Sequence, residues 1–364
     1  MTRVHVLTAG PGSPNGRAFL FPLIAHSQAI AAAGIELRIF RHNEDGIADC
    51  DIVIIDSKYF SPRWQRGAAL VIDEIGALRA SNARIFWFDI TDSSGWDHAR
   101  ALPHVDVWLK NQVLRDRSRY LEPIYGAGRL YADFAHRQHG VNDESPLWSE
   151  PVADATQIDK IHVGWNSGLA DYSLYGPFRM ALYSRLPLPR LLTFPSVPYN
   201  AGAERPVAVA SRFGNSYPRA SVRWQRQQVA KLTERYTEAR KLDRRRYLRE
   251  LAHAKVSVSP FGLGEITLKD FETFLAGALL FKPDMSHLET WPDFFRPGET
   301  CVTHTWDFSD FSAQLEASLQ DDKQRQAIAA RGQDLYRRHL SGAEAPVLFC
   351  DHFSRLLKLG KRAE

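Results

Sequence analysis

KVSVSPFGLGEITLKDFETFLAGALLFKPDMSHLETWPDFFRP, residues Lys255–Pro297, is the stretch on which the fold of this chain turns. Val256 and Val258 alternate with polar residues, which predicts a short buried strand running to Pro260. The turn Phe261-Gly262-Leu263-Gly264 follows, and its two glycines accept unusual backbone angles. Thr267 or Glu265 is placed to cap a helix that begins near Leu268, with Leu268, Phe271, Phe274 and Leu275 at helical spacing. Gly277 ends that helix, and Ala278–Phe281 reads as a second strand. Strand, glycine turn, helix, strand is one unit of a parallel α/β sheet.

Such a turn has a chemical use. The first backbone N–H groups of a helix have no internal partner, and the helix dipole adds partial positive charge there. A phosphate docks on such a site. Gly262, Gly264, Ile266 and Thr267 are therefore candidates for anion binding, and Lys269 adds a full charge in the first turn. Glu265 and Glu272 flank the site, and carboxylates there accept hydrogen bonds from the hydroxyls of a sugar or ribose. The alternative is an ordinary strand–helix connection with solvated carboxylates.

The wider pattern resembles a known family. SPFGLGEITLKDFETFLAGALLFKPDMSHL, then RPGETCV and DFSDFSAQLEASL, resembles the C-terminal domain of GT-B glycosyltransferases. DDKQRQAIAARGQDLYRRHL resembles that family's terminal helices, so the resemblance covers roughly 247–340. It implies that Glu272 binds the ribose of a sugar nucleotide and that the glycine-turn amides face the diphosphate. It also implies two Rossmann-like domains facing across a cleft, and a final helix that crosses back to the first domain. Glu265 and Glu272 stand one residue closer together than the glutamates of many retaining members, and Gly264 occupies the position of the first. The role of Glu265, catalytic or structural, and the stereochemical class stay open.

Composition sets wider bounds. A chain of 364 residues suits two domains, and 44% hydrophobic with 24% charged residues is ordinary for a soluble protein. No apolar run reaches the roughly 20 residues of a membrane span, and Thr2 leads into a strand with no secretory pattern before it. Cys50, Cys301 and Cys350 are scattered, which suits a reducing cytoplasm and suggests neither a disulfide framework nor a metal cluster. A net charge of +4 is too diffuse to argue for nucleic acid.

The rest of the chain supplies the first domain and its candidates. Val4–Leu7 is a strand that enters a loop with Gly10, Gly12, Gly16 and Arg17, before a helix expected over 18–33. The loop's proline-interrupted spacing is not a dinucleotide fingerprint, and the next strand, 36–40, ends at Arg41-His42 where an NAD site expects an acid. Gly12 is an acceptor-side candidate or a structural turn. Asp51–Asp56 and 83–90 read as buried strands. Asp49-Cys50-Asp51 spells Asp-x-Asp, but at a strand's start, and reads as a solvated loop. The segment after residue 90 stands at a strand's C-terminal end, where ligands of parallel sheets gather. Asp92 and His98 are candidate acid–base groups there, and Ser93 and Ser94 candidate acceptor contacts; a capped helix start is the alternative. Val105–Leu109 is a further strand, and 115–147 reads as irregular structure over the cleft.

Prolines 187, 189, 195, 198 and 206 mark a crossover, with the linker near 195–204. Residues 1–200 form the expected acceptor domain and 201–343 the nucleotide-sugar domain, with 344–364 returning to the first. Pro206–Ala210 opens the second domain as a strand, and Arg212 follows it as the candidate diphosphate cation, ahead of Arg219 and Arg223. The basic run 240–249 is a solvated helix face or a contact with anionic lipid at the inner face of a membrane. His287 is a candidate over the donor, and His304 reads as structural.

The expectation is a metal-independent glycosyltransferase without a cofactor. It takes a nucleotide-diphosphate sugar and a glycan, lipid-linked or polysaccharide acceptor, in polysaccharide biosynthesis of the cell envelope. A sugar-nucleotide epimerase and a non-catalytic glycan- or nucleotide-binding subunit are the alternatives on the same fold.

Overall fold

The computed structural model describes residues 1–64, 66–96, 98–195, 200–238 and 240–360. The first domain is built on strands β1 (Thr2–Leu7), β2 (Ile35–Phe40), β3 (Ile52–Asp56), β4 (Arg84–Asp89) and β5 (Val107–Lys110). A short strand β6 (Gln112–Leu114) leaves this sheet, and β7 (Ile161–Val163) completes it. The order is β2-β1-β3-β4-β5-β7, all parallel. β3 is buried along its whole length, because helices cover both faces of a central parallel strand. The chain goes from β1 outward to β2 and returns to β3 on the other side. The crevice of that reversal opens where β1 and β3 end, and this is where an open α/β sheet takes its ligand. There the Asp56 carboxylate accepts from the Thr8 hydroxyl (2.8 Å) and the Ala9 amide (3.2 Å), holding the glycine loop.

The helix expected over 18–33 begins earlier, at Pro14, and divides in two at His26. Ser13 caps it by accepting from the Gly16 amide, and Pro14 enters without needing an N–H partner. Gly16 is required, since a Cβ there would overlap the Gly10 carbonyl.

The second domain has β8 (Val207–Ala210), β9 (Ala254–Val258), β10 (Leu279–Pro283), β11 (Leu288–Thr290) and β12 (Val302–His304). Its parallel sheet has the order β12-β10-β9-β8. Helices Ala220–Thr233 and Arg244–His253 connect β8 to β9, and Leu268–Ala276 connects β9 to β10. After Phe311–Gln320 and Asp322–Leu340, the last helix, Ala345–Leu356, lies on the first domain. Phe349 and Phe353 pack on Trp165, His352 Nε2 donates to the Gly164 carbonyl (2.8 Å), and Arg84 donates to the Leu357 carbonyl (2.9 Å).

Residues 115–147, expected to be irregular, contain the helix Leu130–His139. Just before them, β6 pairs antiparallel with β11, Leu114 opposite Leu288 and Gln112 opposite Thr290. One strand of this ribbon comes from each domain. Arg117 extends the contact with an ion pair to Glu289 (2.8 Å). Three-residue strands have too few positions to show alternation, so the ribbon is silent in the sequence. One apolar core runs from β1–β5 through Phe261, Phe271 and Phe274 to Phe353, and a second lies under the C-terminal sheet around Val256, Phe281 and Phe311.

Candidate functional site

The glycine turn is braced from below. Thr267 caps the helix Leu268–Ala276, and the buried Asp270 carboxylate accepts from the Thr267 amide (2.9 Å) and the Ser259 hydroxyl (2.6 Å). Lys282, wholly buried on β10, donates to Asp270 (2.7 Å) and to the Glu265 carbonyl (3.0 Å). This satisfied buried pair fixes the helix start relative to the sheet, and losing one partner would strand a charge in the core. From the first domain, the Tyr131 hydroxyl donates to the Gly262 carbonyl (2.6 Å) and Arg129 to the Leu263 carbonyl (3.2 Å).

The other end of the turn touches the loop after β4. A Cβ on Gly264 would overlap the Asp92 carbonyl, so only glycine fits. Next to it, the fully buried Glu265 carboxylate accepts from the Ser94 amide (3.0 Å), the Ser94 hydroxyl (2.5 Å) and Gln112 Nε2 (3.1 Å). Gln112 Nε2 also donates to the Asp92 carbonyl (2.8 Å). Burial works against the Glu265 charge. The His287 imidazole, with Nε2 3.9 Å away, and the Ser94 donors outweigh burial and hold the carboxyl below its usual range.

Above this junction lies an interdomain cleft of about 320 Å³. Asn15, Lys58, Asp92 and Gln112 line it from the first domain, and Tyr217, Arg226, Gly262–Gly264 and Ile266–Leu268 from the second. Asp92 is exposed, and its Oδ1 accepts from Asn15 Nδ2 (2.7 Å). The Arg226 guanidinium lies over the Tyr217 ring, 4.9 Å from its centroid, and donates to the Phe261 (3.3 Å) and Gly214 (3.2 Å) carbonyls. Its Nη2 stands 3.4 Å from where a Gly262 Cβ would be. The cleft thus joins a helix N-terminus and Arg226 on one side to Asp92 and Lys58 on the other. Such a space suits a diphosphate and a hydroxyl nucleophile.

The structure brings together Gly262, Gly264, Ile266, Thr267 and Asp92. Other candidates stand elsewhere. His98 is 5% exposed and packs on Trp64 (4.9 Å between ring centroids) and Trp87 (5.4 Å), because the chain turns into the core after Gly95. Ser93 and Ser94 are buried, Ser94 against Glu265, and Gly12 is exposed but outside the cleft lining. Asp97 lies outside the described residues.

Arg212 does not face the cleft. Glu250 binds its guanidinium through two 2.8 Å hydrogen bonds, and the Glu238 carbonyl accepts a third (2.6 Å). Lys269 points below the turn, donating to the Arg212 and Val258 carbonyls, and burial pulls its ammonium down to about 7. Glu272 also lies outside the cleft lining. It accepts from Arg244 (2.7 Å), whose other nitrogen donates to the Tyr172 (2.7 Å) and Ser173 (3.1 Å) carbonyls of the first domain. Burial raises its carboxyl above the usual range despite Arg244. His304 is a core ring stacked on Phe281.

The cation beside the turn is therefore Arg226. The helical spacing of Arg219, Arg223 and Arg226 was its signal in the sequence, although the first two are outside the cleft lining: Arg219 precedes the helix, and Arg223 binds the Tyr217 carbonyl (2.7 Å). Among the described residues no three His, Cys, Asp or Glu side chains converge as a metal site.

Among known proteins, residues 200–344 match the model of a family described as glycosyl transferase-like. The chain is similar to HepE of Anabaena in complex with UDP-glucose, at 11% identity over 99% of this chain and 100% of that one, with a TM-score of 0.45. It is similar to T4 phage β-glucosyltransferase at 11% identity over 98% and 100%, with a TM-score of 0.42. A glycosyltransferase from Rickettsia africae gives 10% identity over 98% and 97%, with a TM-score of 0.44. Likeness this distant says nothing of substrate or mechanism, and no curated protein sequence matches the chain. Two parallel α/β domains meet at this cleft, the arrangement expected from the sequence, and the second of them carries the match to the glycosyl transferase-like family model.

Proposed function

We propose that the chain transfers a sugar from a nucleotide-diphosphate donor to a glycan, polysaccharide or lipid-linked acceptor, in polysaccharide or envelope biosynthesis. One observation carries this reading: the glycine turn and helix start at Thr267 open on the cleft, with Arg226 beside them and Asp92 opposite. Breaking the donor bond builds positive charge on the sugar and negative charge on the departing diphosphate. The turn amides, Arg226 and Lys58 meet the negative charge without a metal. Asp92 takes the proton of the attacking hydroxyl.

A second reading, a nucleotide-binding subunit without turnover, is favoured by the engagement of Glu265 and Glu272 in contacts between domains. No helix among the described residues is long and apolar enough to cross a membrane. The proposed place of work is the cytoplasm, at the inner face of the membrane.

A panel of nucleotide-diphosphate sugars, with acceptors and excess chelator, tests the reading. Thermal shift reports binding and released nucleoside diphosphate reports transfer. Binding without release on every pair supports the subunit. Conversion of the donor without an acceptor, hydrolysis excluded, supports an epimerase. Loss of binding in chelator shows that a metal carries the phosphate charge. Glu272→Gln tests the ribose contact: unchanged nucleotide affinity removes that residue from the donor site.

A further inference from the structure

Beside the cleft, the fold gathers apolar and basic groups that are separate in the sequence. At the start of, on and after the helix Gly176–Tyr183, Tyr175 is 57% exposed, Phe178 67%, Leu186 53% and Leu188 42%. Single exposed apolar residues are ordinary, but four within one short segment need a cover. Arg185 and Arg190 interleave with them, both exposed.

The same place receives the basic run of the second domain. Arg244, in the first turn of the helix Arg244–His253, donates to the Tyr172 and Ser173 carbonyls. That contact sets the first turn of this helix beside Tyr172 and Ser173, which lead into Tyr175 and Phe178; Arg245, Arg246 and Arg249 on the same helix are exposed, Arg246 pairing with Asp243 (3.3 Å).

The patch also adjoins the reaction cleft. A small cavity under the helix Gly176–Tyr183 is lined by Pro14, Pro177, Met180 and Leu268, and both Pro14 and Leu268 line the cleft as well. Leu268 is itself 40% exposed.

We infer that this face docks on an anionic lipid bilayer. Aromatic and aliphatic side chains enter the interface while neighbouring arginines meet negative headgroups, and neither set suffices alone. Resting on the transferase reading, the inference narrows the acceptor to one anchored in lipid, whose sugar end enters the cleft beside Leu268. The basic run, read in the sequence as a solvated helix face or a lipid contact, is half of the surface. The apolar half comes from the other domain.

Flotation with vesicles of phosphatidylglycerol and phosphatidylcholine, against phosphatidylcholine alone, tests this on the full chain. Binding to the anionic vesicles only, falling steeply with salt, is expected. Arg245→Gln with Arg246→Gln should weaken it about fivefold for each charge removed. Phe178→Ser with Tyr175→Ser should weaken it at least tenfold, with the melting temperature unchanged because both side chains are exposed. Equal flotation of wild type and variants overturns the inference, as does wild type that stays in solution. A wild-type dimer that Phe178→Ser dissociates, without vesicle binding, would overturn it in favour of a second copy as the cover. Nucleotide binding measured on the same variants is expected to be unchanged. Its absence in wild type would fault the donor reading and leave the lipid result to stand separately.

Discussion

Glu265 and Ser94 stand 171 residues apart in the chain and share two hydrogen bonds, from the Ser94 amide (3.0 Å) and hydroxyl (2.5 Å) to one buried carboxylate. The contact crosses the domain boundary and holds the Asp92 loop against the glycine turn. Glu265→Gln and Ser94→Ala should each destabilise the protein by about 1.5–3 kcal/mol, the range for hydrogen bonds to a charged group. The double variant should cost less than the sum, since both lose the same bonds. Denaturant unfolding of the four proteins measures this, and strict additivity would deny the coupling.

Two glycines in one turn should respond differently. Gly264→Ala places a methyl on the Asp92 carbonyl and should cost about 1–3 kcal/mol, as overpacking does, with loss of transfer. The nearest atom to a Cβ on Gly262 is the Arg226 side chain at 3.4 Å, so Gly262→Ala should fold normally. Equal melting temperatures for both variants would mean that the domains part freely at this point.

Arg226→Gln should weaken nucleoside diphosphate binding about tenfold, since a charge-assisted hydrogen bond contributes roughly 1.5–3 kcal/mol and 1.4 kcal/mol is a factor of ten. Arg212→Gln should leave that affinity alone, because its guanidinium is held by Glu250. Calorimetric titration separates the two, and the reverse ranking would return the phosphate to Arg212.

Asp92→Asn should lower kcat by about 10²–10⁴, the usual contribution of a general base, and leave nucleotide affinity intact. Unchanged turnover would remove Asp92 from the chemistry. His98→Gln should instead lower stability, since the ring packs on Trp64 and Trp87.

Acid should destabilise this protein over a defined range. Burial lowers His26, His304 and His352 from 6.5 to about 4. Between those values the unfolded chain binds protons that the folded chain does not. Stability from these groups is therefore complete above pH 6.5 and lost as pH falls towards 4. His304→Gln should flatten the fall in melting temperature across that window. A curve as steep as the wild type's would assign the acid sensitivity to other groups.

The βαβ unit was legible because its signals are local: alternation in β9, two glycines, Thr267 before an apolar period, and Gly277, which takes a left-handed angle after the helix. The buried strands β3 and β4 were legible for the same reason, since burial on both faces demands uninterrupted apolar residues. Asp92 could be proposed from its place after a strand, because parallel sheets gather ligands at that end. Side-chain direction was not legible. Arg212 and Arg226 are the same residue type near the same turn, and only the tertiary packing turns Arg212, in the loop after β8, to Glu250 on the helix Arg244–His253, and Arg226, on the helix Ala220–Thr233, to the cleft. His98 follows Asp92 closely, yet the chain between them dives into the core and separates the two. The ribbon of β6 with β11 and the Glu265–Ser94 contact belong to tertiary structure alone. Each joins short segments far apart in the chain, and no local preference encodes a partner that only the folding of both domains brings within reach.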